Sequence, residues 1–107
     1  MEIKEMQKRV DEWVQQYKEG YWDPLAMLAR LTEEIGELAR EINHRFGPKK
    51  KKASETDDSI ETELGDLLFT ITCIANSLNI DLEECFNKSL DKSYGSDGDR
   101  FEKKNTD

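Results

Sequence analysis

Two short segments of the chain repeat the same order of an acid, an apolar residue, a glycine and a second acid. The first is Glu34-Ile-Gly-Glu37 and the second is Glu63-Leu-Gly-Asp66. Residues three apart on a helix have Cβ atoms about 5 to 6 Å apart, so each segment presents a pair of neighbouring carboxylates if it is helical. If two such helices pack antiparallel with the segments level, the four carboxylates converge on one point.

Converging carboxylates repel one another unless a cation neutralises them. Mg²⁺ prefers oxygen ligands, and Mn²⁺ accepts the same donors. The sequence is therefore compatible with a divalent metal site, for which the candidate ligands are Glu34, Glu37, Glu63 and Asp66. The alternative is an ordinary solvated helix face, on which each acid pairs with a basic residue three or four positions away. Such pairs would be Glu37 with Arg40 and Glu41 with Arg45.

Each acidic segment contains a glycine, Gly36 or Gly65. A glycine in a helix interior costs about 1 kcal/mol relative to alanine, so its presence in both segments needs a reason. The missing side chain lets a second backbone or a ligand approach closely. We therefore expect both glycines to lie where two helices, or a helix and a ligand, come into contact.

Other metal and nucleophile chemistries are disfavoured by the residues that the chain lacks. Di-iron carboxylate bundles need a Glu-x-x-His motif from each of two helices, and zinc hydrolases prefer His and Cys ligands. The single histidine, His44, is expected at the surface or at a helix end. The cysteines, Cys73 and Cys85, lie in apolar helical segments and are expected to be free thiols with a structural role, the alternative being a disulfide or a pair of metal ligands. No serine or cysteine has a suitable base beside it, so a covalent nucleophile is not expected.

Apolar residues recur every three or four positions in four segments, which predicts an all-α chain. The predicted helices cover residues 3–18, 24–43, 59–79 and 81–93. The second helix opens with Asp23-Pro24, a helix cap followed by proline at the first helical position, and its apolar stripe includes Leu28, Ile35 and Ile42. Residues 44–58, which contain Gly47-Pro48 and four consecutive lysines, predict a loop, and residues 95–107 predict a polar tail. We expect one domain, residues 1–107, packed as a four-helix bundle.

Length and charge narrow the possible partners. A domain of 107 residues buries a modest fraction of its surface, so we expect oligomerisation to complete the core. The net charge of −8 disfavours a nucleic acid polymer as a partner, because such binding needs clustered Lys and Arg. No apolar run approaches the roughly 18 to 20 residues that a membrane-spanning helix requires. The charged N-terminus does not resemble a secretory signal, so we expect a cytoplasmic protein.

The segments "LTEEIGELAREI" and "ETELGDLLF" together resemble the E-E-x-x-E…E-x-x-D motif of the MazG-like nucleotide pyrophosphohydrolases. This all-α superfamily includes dimeric dUTPases and dCTPases, and the resemblance covers residues 22–95. It implies a MazG-type, four-helix-bundle-like fold that a homodimer or homotetramer completes. It also implies Mg²⁺-dependent hydrolysis of a nucleoside triphosphate, whether ordinary, deoxy or non-standard, to the monophosphate and pyrophosphate.

The resemblance also assigns roles to individual residues. The metal ligands would be Glu34, Glu37, Glu63 and Asp66, and Glu33 would assist them or help to activate water for attack on the α-phosphorus. Positive side chains are expected near the phosphates, and the family often carries Lys, Asn or Arg in its C-terminal region. The candidates are Lys49, Lys52, Asn87, Lys88, Lys92 and Arg100. The alternative for each lysine is a solvated surface position. Trp22 is expected to stack on the base. The alternative for Trp22 and its neighbour Tyr21 is packing in the core.

Two other functions are compatible with the same residues. One is a non-catalytic helical module that binds a nucleotide or a metal, and the other is a purely structural oligomerisation protein. The matched acid pairs with their glycines favour the enzyme over the structural protein, because partner helices have no need of them. They do not separate the enzyme from the non-catalytic module.

Overall fold

The computed structural model describes residues 1–52 and 59–104, and this part of the chain forms four α-helices and no β-strand. The helices are α1 (Ile3–Val14), α2 (Pro24–Phe46), α3 (Ile60–Ser77) and α4 (Leu82–Tyr94). The long helices α2 and α3 pack along each other, α1 packs on α3, and α4 packs on α1. The all-α prediction is therefore confirmed.

Among the described residues, no helix combines the length and the apolar character that crossing a bilayer requires.

Side chains cap three of the four helices at their N-termini. Asp23 accepts hydrogen bonds from the amides two and three residues later, at 2.9 and 3.1 Å, and Pro24 follows it at the first position of α2, as predicted. Ser59 caps α3 through the amide of Thr62 at 3.1 Å. Asp81 caps α4 through the amide two residues later at 3.0 Å. Each such cap contributes about 1 kcal/mol and fixes where its helix begins.

Some helix ends differ from the prediction. α1 ends at Val14 rather than near residue 18, because the chain turns and passes through Gly20, whose φ of +64° favours glycine. α2 continues to Phe46, so that His44 lies half-buried in its last turn. The ends of α3 and α4 lie within two residues of their predicted positions. Residues 53–58 of the predicted loop and 105–107 of the tail lie outside the described residues.

A polar network joins α1 to the end of α3 and the start of α4. Asn76 Nδ2 donates to the Gln7 carbonyl at 2.9 Å and to the Tyr21 hydroxyl at 3.0 Å, and Gln7 Nε2 donates to Asn76 Oδ1 at 2.9 Å. The Leu82 amide donates to Gln7 Oε1 at 3.0 Å. The Tyr21 hydroxyl donates to Asp11 at 2.7 Å. Burial is the main cause that raises the pKa of Tyr21 to about 12, and this hydrogen bond is the second. The network thus fixes the segment that carries Trp22.

Replacing Asn76 by alanine is expected to lower the free energy of unfolding by about 2 to 3 kcal/mol. The change removes hydrogen bonds on both sides of the side chain and leaves partly buried partners unsatisfied. Urea denaturation at one fixed protein concentration measures the effect, with Asn43→Ala on the exposed side of α2 as the control. A loss below about 0.5 kcal/mol, the range of ordinary surface substitutions, would show that the network contributes little.

Candidate functional site

The side of α2 that packs on α3 carries acids where a core would carry apolar residues. Its buried residues are Met27, Glu34 and Glu41, which are seven apart and therefore lie on one row. α3 places Glu63 and Thr70, also seven apart, among its own buried residues. Glu34 and Glu63 are each only 1% exposed. Burying a carboxylate is costly unless a partner compensates its charge, so these two residues are not part of a solvated face.

Three of the predicted ligands converge. Glu34, Glu37 and Glu63, called the acid cluster below, offer carboxylate oxygens that all lie within 4.8 Å of one another. Glu34 Oε2 is buried and accepts no hydrogen bond from the described residues. An all-oxygen donor set with a buried, unsatisfied oxygen fits a hard divalent cation. These residues therefore fit the cation that the sequence analysis expected.

Asp66, the fourth predicted ligand, lies outside the acid cluster but close enough to affect it. Its side chain is exposed and lines a cavity together with Glu34. Burial raises the pKa of Glu34 above its ordinary value, Arg30 opposes this rise, and Glu37 and Asp66 increase it. Asp66 therefore acts on Glu34 by its charge although it is not a member of the acid cluster.

Glu33, the first acid of the motif, is not a member of the acid cluster. Its side chain is 65% exposed, and Oε2 lies 3.4 Å from Nη1 of Arg30. Arg30 also places Nη2 2.5 Å from Glu34 Oε1. Arg30 therefore touches both adjacent acids of the motif, a role that the sequence analysis missed although arginine stands one helical turn before Glu34.

A cavity of about 590 Å³ opens beside the acid cluster, between α1, the segment that follows it, α2 and α3. Its aromatic lining consists of Trp13, Tyr17, Trp22 and Phe69, together with Tyr21. The Trp13 ring centroid lies 5.6 Å from that of Phe69 in an edge-to-face contact and 5.1 Å from that of Tyr17. Charged residues of the same lining include Arg30, Glu34 and Asp66. A cavity of this size and lining can hold a flat ring next to a charged group.

Cys73 also lines this cavity, and burial raises the pKa of its thiol. Cys85 lies exposed on α4. A raised pKa keeps the Cys73 thiol protonated, so it contributes to the wall of the cavity and not to its charge.

Among the residues predicted to bind substrate, Trp22 is the one that lines the cavity. Lys49 and Lys52 are exposed in the segment after α2. The predicted contacts on α4 are all exposed, on a helix that packs against α1, and they are Asn87, Lys88 and Lys92. Arg100 lies beyond α4, with Nη1 3.6 Å from Asp97. Within one chain, these lysines, Asn87 and Arg100 do not line the cavity.

The lysine that does reach an acid of α2 is Lys51. Its Nζ lies 2.8 Å from Oε2 of Glu41, which is 4% exposed. A solvated helix face would have paired Glu41 with Arg45. In the structure Arg45 donates two hydrogen bonds to Glu61 instead, at 3.1 and 3.2 Å. The lysine segment is therefore anchored on the helix that carries two members of the acid cluster.

Among the described residues, no second helix contacts Gly36 or Gly65. A Cβ built on Gly36 or Gly65 would meet nothing within 4 Å. The expectation of a contact between two helices at these glycines is therefore wrong within the described residues, while the alternative of a contact with a ligand stays a prediction. Both glycines are exposed, and their neighbours Ile35 and Leu64 are about half exposed, at 51% and 50%.

Residues 23–101 match the family model of the MazG nucleotide pyrophosphohydrolase domain. The uncharacterized protein YpjD of Bacillus subtilis (strain 168) is 55% identical over 102 residues, which cover 95% of this chain and 92% of YpjD.

Two solved structures are also similar. The crystal structure of YpjD from Bacillus subtilis, described as a candidate pyrophosphatase, has a TM-score of 0.77 and 56% identity, covering 86% of this chain and 94% of that one. A MazG protein conserved in Bacillus, described as a nucleotide pyrophosphohydrolase, has a TM-score of 0.75 and 55% identity, covering 86% of this chain and 88% of that one.

Proposed function

The chain belongs to the MazG nucleotide pyrophosphohydrolase family, and from this premise we propose that it hydrolyses a nucleoside triphosphate to the monophosphate and pyrophosphate in an Mg²⁺-dependent reaction. Membership makes the chain a nucleotide pyrophosphohydrolase. The proposal adds the triphosphate substrate, the metal and the residues that act. Its main support is the acid cluster, with the unsatisfied buried Oε2 of Glu34, beside an aromatic cavity.

The proposed metal ligands are the acid cluster and Asp66, whose exposed side chain can turn toward the other three. Mg²⁺, or Mn²⁺ in its place, would supply charge neutralisation at the phosphates and a lower pKa for water in its shell. The residues Glu34 and Glu63 are held rigidly by their burial, so the ligands need little reorganisation. Glu33, exposed beside Arg30, is proposed to assist from outside the ligand set, either by orienting the attacking water or by accepting its proton.

We propose that the base stacks in the aromatic part of the cavity, against Trp22 with Trp13 and Tyr17 nearby. The phosphates would then extend toward Arg30 and the acid cluster. The predicted phosphate contacts remain part of the proposal, and they are Lys49, Lys52, Asn87, Lys88, Lys92 and Arg100. Because α4 packs on α1, its cations are proposed to serve the site of a neighbouring subunit.

The proposed enzyme is a homodimer or homotetramer. Six of the apolar side chains on α2 and α3 are at least 37% exposed. They are Leu28, Ile35, Ile42, Leu64, Leu68 and Ile71. The radius of gyration of 17.9 Å exceeds the about 13 Å expected for a compact domain of this length. An apolar surface of this kind on an extended chain favours burial against a second copy. The open space beside Gly36 and Gly65 would lie at or near that contact.

A screen of ordinary and modified nucleoside triphosphates with Mg²⁺ tests the proposed function. The expected products are the nucleoside monophosphate and pyrophosphate, with pyrophosphate and inorganic phosphate measured separately. A parallel set of reactions with excess EDTA serves as the control and should release neither product. Release of phosphate alone would contradict cleavage at the α-phosphorus, and saturable nucleotide binding without products would favour the non-catalytic module.

A further inference from the structure

Arg30 is the one basic residue among the described residues that line the cavity. It stands on α2 one turn before Glu34, and its guanidinium contacts that buried carboxylate at 2.5 Å and the exposed Glu33 at 3.4 Å. The same side chain is 46% exposed. Arg30 therefore contacts the acid cluster and also faces the space that a ligand would enter.

The two partners of the Arg30–Glu34 ion pair differ greatly in their surroundings. Glu34 is 1% exposed and fixed by packing, whereas the guanidinium is nearly half in solvent and can rotate away. Arg30 supplies one positive charge, whereas Glu34 and Glu37 of the acid cluster together offer two carboxylates. A divalent cation on the same carboxylates would take over the role that Arg30 fills, leaving the guanidinium to find another anion.

A phosphate chain is an anion of the right chemistry for this guanidinium. Arginine presents a planar fork of N–H donors that matches phosphate oxygens in pairs. Arg30 lines the same cavity as the aromatic residues Trp13 and Trp22 and contacts the acid cluster. The phosphate next to a nucleoside in that cavity would lie within its reach.

We propose that Arg30 is a phosphate-binding residue that exchanges partners: it holds Glu34 in the metal-free site and binds the triphosphate once a divalent cation occupies the acid cluster. The inference rests on the proposed function, since it places a triphosphate in the cavity. The competing explanation is a permanent counter-ion to Glu34 that never touches substrate. The two explanations differ in how nucleotide binding responds to loss of the guanidinium.

The first test uses Mg²⁺ alone, titrated calorimetrically into chelator-treated protein. Arg30→Gln is expected to bind Mg²⁺ about two- to fivefold more tightly than the wild type, because a competing positive charge has left Glu34. Its melting temperature without metal should fall, and Mg²⁺ should restore most of the difference. Arg40→Gln, an exposed arginine on the same helix outside the cavity lining, should behave as the wild type. Weaker Mg²⁺ binding by Arg30→Gln would overturn the exchange of partners.

The second test uses nucleotide. The dissociation constant of the α,β-imido analogue of the triphosphate that is hydrolysed fastest, measured with saturating Mg²⁺, should rise about 10- to 100-fold in Arg30→Gln. KM should rise by a similar factor. Arg30→Lys keeps the charge but loses the fork, so it should recover part of the affinity, and it also serves if Arg30→Gln folds poorly. Arg40→Gln should bind the analogue as the wild type does.

Analogue affinity within twofold of the wild type in both Arg30 variants would overturn the proposal and leave Arg30 as a counter-ion only. Failure of the proposed function gives a different result, because the wild type itself would then release no product from any triphosphate. If the wild type also binds none, the phosphate contact is refuted with the proposed function. If it binds one without hydrolysing it, the analogue affinities of the Arg30 variants still test the phosphate contact. In both cases the Mg²⁺ titration decides whether Arg30 competes with a cation for Glu34.

Discussion

Replacing Glu34, Glu37 or Glu63 by glutamine is expected to lower kcat/KM for nucleotide hydrolysis by at least about 10³-fold, which corresponds to about 4 kcal/mol of transition-state stabilisation. Glutamine keeps the shape of the side chain but carries no charge, so it is a poor ligand for a hard divalent cation. Asp66→Asn is expected to lower kcat/KM as well. Initial rates of pyrophosphate release at saturating Mg²⁺ measure the effect.

A matched control lies on the same helix as Glu63. Glu61 is exposed and pairs with Arg45, so Glu61→Gln should keep kcat/KM within about twofold of the wild type. Wild-type turnover by Glu34→Gln or Glu63→Gln would show that the acid cluster is not the catalytic site.

Measurements of thermal stability distinguish a variant that is folded but inactive from one that is inactive because it is misfolded. The folded-state pKa of Glu34 is raised, chiefly by burial, so the stability linked to its protonated form is fully present at acidic pH and is lost as the pH rises through that pKa. Glutamine has no ionisable carboxyl group, so the variant Glu34→Gln lacks this loss of stability at rising pH. Glu34→Gln should melt no lower than the wild type without metal, and thermal denaturation checks this. A large drop in its melting temperature would mean that the inactive variant is misfolded.

Placing a charge on the exposed apolar surface of α2 and α3 is expected to break the oligomer and to lower the melting temperature by about 10 °C or more. Leu68 is 49% exposed on α3 and Ile35 is 51% exposed on α2. A glutamate at either position would be buried without a partner in a contact between subunits, at a cost of several kcal/mol. Light scattering coupled to size-exclusion chromatography should give a multiple of the 12.5 kDa chain mass for the wild type and 12.5 kDa for the variants.

The control for this experiment is Tyr94→Glu, at the end of α4, where the side chain is 86% exposed. This variant should keep the wild-type mass and melting temperature. If cations from a neighbouring subunit serve the site, the monomeric Leu68→Glu variant should also lose activity. A wild-type chain that is monomeric at micromolar concentration, or a Leu68→Glu variant of unchanged mass, would contradict the proposed interface.

Local features of the fold could be predicted from the sequence because they depend on neighbouring residues. The cap at Asp23 and Pro24 sets the start of α2 in the structure as it did in the sequence. The spacing of three residues placed Glu34 beside Glu37, and the level packing of α2 and α3 brought Glu63 to them. These predictions needed only helical periodicity and an antiparallel pair.

The direction in which each row of side chains faces could not be predicted in the same way. Periodicity shows that Leu28, Ile35 and Ile42 share a row, but it does not say which row meets α3. In the structure that row is exposed, and the row with Glu34 and Glu41 is buried instead. Two helices that bury acids and expose apolar residues are stable only if another surface covers the apolar residues. The spacing of residues along the chain does not identify that surface.

Contacts made by loop residues also could not be predicted from the sequence. Four consecutive lysines cannot be ranked by spacing, and the one that reaches α2 is Lys51 rather than Lys49 or Lys52. Arg30 is a different case, since its position four residues before Glu34 satisfies the rule for helical ion pairs. The prediction assigned a metal ion to Glu34 as its positive partner and did not consider the arginine four residues before it.

Calorimetric titration of Mg²⁺ into chelator-treated protein, in the presence of a nonhydrolysable triphosphate, tests the central claim most directly. We expect saturable binding to the wild type and to Glu61→Gln, and binding at least about tenfold weaker to Glu63→Gln, since that change removes a charged ligand from the acid cluster. Equal Mg²⁺ affinity in Glu63→Gln and the wild type would contradict a cation held between α2 and α3.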